Sequence, residues 1–138
     1  MTLTEYLSHF IGRSYIWAGD GTGPKYQGWD CSGLVLEGLY AMGWYTGKDI
    51  SAQGLHDFLA KSNDWHACSV GKAGDGDILF FGKSTKAITH VAVALGNGLL
   101  IEAGGGGSKC TTASNSTGFV RVRPVTNRKD CVAVFYKK

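Results

Sequence analysis

The chain has 138 residues, of which 43% are apolar, so it is long enough to form one folded domain over residues 1–138. Its 14 basic and 11 acidic residues give a formal charge of +3, a weaker excess than nucleic-acid-binding proteins usually show. No apolar run reaches the roughly 18 residues of a membrane-spanning helix. The first residues lack the features of a signal peptide. We therefore expect a protein made in the cytoplasm without a signal peptide.

Three helices are predicted in the first half of the chain. Apolar spacing predicts a short helix that starts at a threonine cap and ends at Gly12. A second helix is predicted over residues 31–42, because Asp30 can cap its start and Gly43 is a natural stop. A third begins at Ser51 and is expected to bury Leu55, Phe58 and Leu59.

After residue 63 the chain changes to short segments that are rich in branched and aromatic residues and are separated by turn residues. The predicted strands are Ile78–Phe81, Thr89–Leu95, Leu99–Ala103, Phe119–Arg123 and Val132–Tyr136. Helices that precede strands in this way indicate an α+β fold with an antiparallel sheet.

Cys31 is the cysteine whose position favours chemistry. It is the only one of the four cysteines that is predicted in the first turn of a helix. Free N–H groups and the helix dipole at such a position lower a thiol pKa and can hold an oxyanion. The other three are interpreted as small buried side chains: Cys68 in an irregular stretch, Cys110 in a loop and Cys131 at the start of the last strand. No CxxC spacing is present, so a zinc site is not expected.

His90 is the predicted general base. It stands alone in an apolar strand, where alternation puts bulky residues on the core face and places Ile88, His90, Ala92 and Ala94 on the other face. The remaining histidines are less suitable: His9 is on a surface helix, His56 on the polar side of the third helix and His66 in a loop. The alternative is a strand histidine whose hydrogen bonds serve only the fold.

Glu102 is the predicted partner that orients His90. If Gly96, Asn97 and Gly98 form a three-residue hairpin loop, Ala92 faces Glu102, and Glu102 shares a face with His90. A two-residue turn would place Glu102 on the opposite face. The alternative is an ordinary surface glutamate.

Five motifs together resemble those of the NlpC-type peptidoglycan cysteine peptidases, and most of all their small stand-alone versions in bacteriophages. They are YIWAG at 15–19, DCSGLV at 30–35, GDILFF at 76–81, HVAV at 90–93 and IEA at 101–103. The resemblance implies a papain-like fold, with N-terminal helices packed on a five- to six-stranded antiparallel sheet. It also implies a triad of Cys31, His90 and Glu102, with glutamate where many relatives have a second histidine.

The resemblance further implies that Tyr15 and Ser32 position the substrate or the oxyanion, and that Asp30, Ser51 and Gln53 bind substrate. Four aromatic residues are candidates to line the groove: Trp17, Tyr26, Trp29 and Trp44. The implied reaction is hydrolysis of stem-peptide amide bonds in the bacterial cell wall, commonly between D-glutamyl and a diamino acid. No metal or organic cofactor is expected.

Several alternatives stay open at this point. The same scaffold serves amidases that cut the sugar–peptide bond and acyltransferases that act on lipids. A catalytically silent wall-binding or phage-tail structural domain is the alternative outside enzymes. The expected partner is peptidoglycan, with phage tail proteins as possible further partners and a monomer as the expected state. A phage lysin, a tail-associated wall hydrolase and a secreted toxin all fit the resemblance.

Overall fold

The computed structural model of the protein describes residues 1–16, 30–105 and 117–137. Within these ranges the chain forms three α-helices, namely α1 (Leu3–Ser8), α2 (Cys31–Met42) and α3 (Ala52–Lys61). The strands are β1 (Trp65–Cys68), β2 (Ile78–Gly82), β3 (Ile88–Gly96), β4 (Leu99–Gly104), β5 (Phe119–Pro124) and β6 (Cys131–Lys137). They pair in the order β1-β6-β2-β3-β4-β5, and every pairing is antiparallel. The predicted α+β class is confirmed.

Side-chain caps determine where the helices begin. Thr2 accepts the backbone N–H of the third residue of α1, and Asp30 Oδ1 accepts the N–H of Gly33 at 2.7 Å. Ser51 caps α3 in the same way. Gly43 ends α2 with a φ of 74°, in the left-handed region that favours glycine. The bounds predicted for α2 are therefore confirmed.

Both faces of the sheet are buried. The three helices cover one face, where their leucines pack with alternate residues of the central strands, among them Phe80, Val91 and Ile101. The intervening residues form a second, smaller cluster on the other face: Leu79, Phe81, Ala92, Ala94, Leu100 and Val134. Strands enclosed on two sides are a rigid support for side chains at their ends.

The strand β1 differs from the prediction. It places His66 and Cys68 in a strand that pairs with β6, where the sequence predicted a loop and an irregular stretch. The segment has four residues, WHAC, and lacks the branched residues that mark the other strands. Its pairing with a segment near the C-terminus forms it, and local sequence does not carry that information.

The rotation of α3 about its axis also differs from the prediction. Phe58 is 40% exposed, whereas His56 is only 8% exposed and was predicted on the polar side. The His56 ring packs edge-on against Phe80 and Phe135, with centroids 5.3 and 5.5 Å apart. Contact with the sheet decides which face of α3 is buried.

A β-bulge lies immediately before His90. Phe81 pairs with His90 but Gly82 pairs with Ile88, so Thr89 is an additional residue in β3. Strict alternation fails at this point, and Ile88 packs in the helix-side core instead of sharing a face with His90. The bulge bends β3 at the residue before the candidate base, His90.

The hairpin between β3 and β4 has a two-residue turn, not the predicted three-residue loop. Gly96 pairs with Leu99, and Asn97 and Gly98 have φ values of 56° and 78°, as a tight hairpin turn requires. A second bulge then falls between Ala94 and Gly96, so the pairing beyond it is Val93 with Ile101. The bulge restores the register that a three-residue loop gives, and Glu102 lies on the His90 face.

Within the described ranges, none of the helices combines the length and apolar character needed to cross a bilayer.

We expect Gly82→Ala to destabilise the fold by about 2 kcal/mol, as overpacking of a close backbone contact does. A Cβ atom at Gly82 would clash with the carbonyl oxygen of Ala87, which is backbone and has no other rotamer to adopt. Gly71→Ala is the matched control, because nothing lies within 4 Å of its added Cβ atom. Urea unfolding measures both variants, and equal losses of stability would contradict the predicted contact.

Candidate active site

Cys31 is the first residue of α2 and lines an open cavity of about 240 Å³. His90, Glu102 and Arg121 line the same cavity, so the structure brings the predicted triad residues to one place. The thiol packs against the helix-side core, whereas His90 projects from the other face of β3. Both residues line the cavity at the place where α2 begins and β3 continues after its bulge.

The thiol of Cys31 has a raised pKa of about 11. Burial is the largest cause, and the negative charge of Asp30 adds to it, while backbone groups of Val91, Ser32 and Cys31 act in the opposite direction. The sequence predicted a lowered pKa from the helix N-terminus, and the structure gives the opposite direction. A thiol with this pKa is neutral at pH 7, and it becomes a nucleophile only after a base takes its proton.

His90 is held by a buried carboxylate. Its Nε2 atom lies 2.8 Å from Oε1 of Glu102, and both side chains are almost fully enclosed. The ring also packs against Phe81, with centroids 5.5 Å apart. This hydrogen bond fixes the plane of the imidazole and leaves Nδ1 as the nitrogen that can exchange a proton with another group.

Glu102 is ionised, and each of its two carboxylate oxygens has a hydrogen-bond partner. Burial by itself raises the pKa of its carboxyl group, but the hydrogen bonds and charges of His90 and Arg121 outweigh burial and lower the pKa to about 2. The Nε atom of Arg121 donates to Oε2 of Glu102 at 2.9 Å, on the oxygen that does not face His90. A carboxylate that is 3% exposed is thus compensated on both oxygens.

Three arginines form one wall of the cavity, and sequence reasoning did not identify them as site residues. Arg121 and Arg123 lie on β5, on the same side as Glu102, and Arg128 follows the strand. Their only sequence signal was a basic excess near the C-terminus. Pairing of Glu102 with Arg121 in the β4–β5 register places them, and a register cannot be read without knowing which strands pair.

A second cavity of about 290 Å³ lies on the α3 side of Cys31. It shares Tyr15, Cys31 and Thr89 with the first cavity, so the two cavities adjoin at Cys31, and we refer to them as the two halves of one cleft. Tyr15 reaches this place because its N–H donates to the carbonyl of Gly118 at 2.9 Å, next to β5.

Other residues predicted to bind substrate line this second cavity: Asp30, Ser32, Ser51 and Gln53. The Ser51 hydroxyl accepts the N–H of Gly54 as the cap of α3. The Gln53 amide joins α3 to the segment before β3, since Oε1 accepts the N–H of Ile88 at 2.8 Å and Nε2 donates to the carbonyl of Thr85 at 2.9 Å. Each polar group therefore already has a structural partner.

Trp44 does not line this cleft. It borders two other cavities near the end of α2, and its ring packs edge-on against Trp65. Trp17, Tyr26, Trp29 and Cys110 lie outside the described residues. In the described ranges, no group of three or more His, Cys, Asp or Glu side chains is arranged to hold a metal ion.

The Glu102 carboxylate should make stability depend on pH. Its pKa is about 2 in the fold against an ordinary value of 4.5, so the stabilisation is complete above pH 4.5 and is lost as the pH falls toward 2. The shift corresponds to about 3 kcal/mol. Urea unfolding at several acidic pH values should show a shallower loss for Glu102→Gln than for the unmodified chain. Equal slopes for the two proteins would contradict the ion pairing.

Comparison with known proteins identifies relatives along most of the chain. A model of the NlpC/P60 family matches residues 12–128. The bifunctional muramidase/DL-endopeptidase CwlT of Bacillus subtilis (strain 168) is 34% identical over 108 residues, which are 77% of this chain and 30% of CwlT. Protein P54 of Enterococcus faecium is 35% identical over 94 residues, which are 68% of this chain and 16% of P54. The chain thus spans less than a third of the length of either relative.

Solved structures share the fold. The peptidoglycan hydrolase RipB from Mycobacterium tuberculosis is 24% identical with a TM-score of 0.67, and the match covers 98% of this chain and 62% of RipB. RipD from the same organism, described as a non-catalytic NlpC/p60 domain protein, is 21% identical with a TM-score of 0.69, covering 99% of this chain and 94% of RipD. The family model and the identity to CwlT establish that this chain belongs to the NlpC/P60 family.

Proposed function

We propose that the chain is a cysteine peptidase that hydrolyses amide bonds in the stem peptides of peptidoglycan. The observation that carries the proposal is one cleft lined by the Cys31 thiol and by His90, whose Nε2 atom is bonded to the buried Glu102 carboxylate. Membership of the NlpC/P60 family and the likeness to a DL-endopeptidase support the choice of substrate.

The mechanism starts from a neutral Cys31 thiol and an ionised Glu102 carboxylate. His90 takes the proton of the neutral Cys31 thiol as sulfur attacks the amide carbonyl, and Glu102 stabilises the imidazolium that forms. Backbone N–H groups at the start of α2 hold the oxyanion. His90 then gives the proton to the leaving amine, which departs as the thioester forms. A water molecule, deprotonated by His90, adds to the thioester, and release of the thiol gives the carboxylic acid product.

The remaining cleft residues are proposed as positioning groups. The Tyr15 hydroxyl and Ser32 would act near the oxyanion, since both line the α3-side half of the cleft. Asp30, Ser51 and Gln53 would contact the acyl part of the substrate there. Because their polar groups also cap helices and tie segments together, they are held in fixed directions, which favours binding of one substrate pose.

The bond between D-glutamyl and the diamino acid is the proposed point of cleavage, supported by the DL-endopeptidase activity named for CwlT. An amidase or acyltransferase on the same scaffold is a second candidate. A silent wall-binding domain is a third, since RipD, with the same fold, is described as non-catalytic. The presence of Cys31, His90 and Glu102 in one cleft favours an active enzyme. The phage lysin or tail-associated role stays a prediction.

Digestion of purified peptidoglycan, followed by mass analysis of the products, tests this function. We expect a new amino group on the diamino acid, whereas release of free lactyl-sugar would identify an amidase instead. Cys31→Ala should abolish product formation, because no other group in the proposed mechanism forms the thioester. Unchanged wall degradation by Cys31→Ala would overturn the mechanism.

Glu102→Gln should lower kcat by roughly 100-fold or more while changing KM much less, because the carboxylate acts on the imidazolium that forms during reaction. Steady-state kinetics on a stem peptide measures both constants. Asp64→Asn is the control, an exposed acidic residue in the turn before β1. Turnover of Glu102→Gln equal to that of the control would reduce Glu102 to a residue of the fold.

A further inference from the structure

The two halves of the cleft differ in what lies beyond Cys31. His90 lines the first half but not the α3-side half. In the proposed reaction His90 protonates the leaving amine, so that nitrogen must come within hydrogen-bonding reach of the imidazole. The amino acid released from the scissile bond therefore extends into the half that contains His90, Glu102 and the three arginines.

The arginines are each held in place by a partner. Arg121 donates from Nε to Glu102, and Arg128 makes a two-point pair with Asp130 at 2.9 and 2.7 Å. The Arg128 guanidinium also lies over the Phe81 ring, 5.1 Å from its centroid. Arg123 lies 3.6 Å from Glu102 Oε2. In one of its two amide orientations, the Asn127 oxygen accepts from Arg123 Nη2 and Nε at 3.0 and 3.1 Å.

Arg121 lies close to the chain at Gly104 and Gly105, two residues that have no side chain. A Cβ atom at Gly105 would lie 2.8 Å from Arg121 Nη1, and one at Gly104 would lie 3.2 Å from Nη2. The guanidinium thus rests directly against backbone at the cavity edge. Among the residues that the structure describes, Nε of Arg121 donates to Glu102, and the Nη groups make no hydrogen bond and can still donate to a ligand.

The charge of this half is positive. Three guanidinium groups, on Arg121, Arg123 and Arg128, face two carboxylates, on Glu102 and Asp130. The pKa of Arg128 is raised, first by its hydrogen bond to Asp130, and the charges of Glu102 and Cys31 act in the same direction. Arg128 lines the same cavity as Cys31. A guanidinium group matches the two oxygens of a carboxylate in shape and charge.

We infer that this arginine-lined half of the cleft binds a carboxylate carried by the side chain of the released diamino acid, an inference that rests on the proposed peptidase function. A diamino acid with a second carboxylate, such as diaminopimelate, places an anion there. The side chain of a lysine at the same position carries an ammonium group and no carboxylate, and the arginines repel that ammonium group. The site thus selects which diamino acid is accepted on the leaving-group side, and it is separate from the nucleophile and the base.

Three peptides test the inference. Each has the form L-Ala-γ-D-Glu-X, with X as diaminopimelate, diaminopimelate amidated on its side-chain carboxyl group, or lysine. We expect kcat/KM of the unmodified chain to be at least about tenfold higher for the carboxylate than for the amide, as for loss of one charge-assisted hydrogen bond. Lysine should be cleaved no faster than the amide.

The variants Arg123→Gln and Arg128→Gln should bring the carboxylate-to-amide ratio toward one. Two variants are used so that a folding defect in one, visible by circular dichroism, leaves the other to decide. Arg121 is not substituted because it donates a hydrogen bond to Glu102, whereas Arg123 lies farther from that carboxylate, at 3.6 Å. Lys129→Gln is the matched control: it removes the same charge from an exposed position next to Arg128 and should leave the ratio unchanged.

The possible failures are distinguishable. If the unmodified chain cleaves the three peptides equally, or prefers the amide or lysine, the carboxylate site is overturned while the peptidase function stands. The same holds if both arginine variants keep the full preference. If the unmodified chain cleaves none of the peptides and releases no new amino group from peptidoglycan, the proposed function falls and this inference falls with it.

Discussion

The arrangement of the site depends on one buried carboxylate. Removing a carboxylate from water is costly unless each oxygen finds a charged or hydrogen-bonded partner. Glu102 meets this requirement through His90 on one oxygen and Arg121 on the other, at 2.8 and 2.9 Å. The three residues come from β3, β4 and β5, so correct pairing of all three strands is needed before the carboxylate is compensated. The same contacts that satisfy the buried charge also orient the imidazole.

The start of α2 shows two requirements in opposition. Asp30 stabilises the helix by capping the N–H of Gly33, but its negative charge disfavours a thiolate on the adjacent Cys31. Burial acts in the same direction, and together they outweigh the backbone groups that would stabilise the anion. In the proposed mechanism Cys31 is therefore a thiol before reaction, and His90 takes its proton as the sulfur attacks.

Local interactions allow part of this structure to be predicted from the sequence. The span of α2 follows from a cap at Asp30 and a left-handed glycine at Gly43, which act within a few residues of each helix end. The pairing of His90 with Glu102 was also predictable, although by a loop of the wrong length. A two-residue turn and a bulge at Leu95 together give the same register as the three-residue loop. A register constrains which side chains share a face, and it does not reveal how the turn achieves it.

The sequence by itself therefore determined the helix that carries Cys31, the strand that carries His90 and the antiparallel class of the sheet, because caps and apolar periodicity are local. Only the tertiary structure decided the strand β1, the burial of His56, the arginine wall and the raised pKa of the thiol. Each of these depends on contacts between segments far apart in the chain or on removal of a group from water. Neither strand partners nor solvent exclusion is encoded in a short stretch of residues, and both arise when the helices close over the sheet.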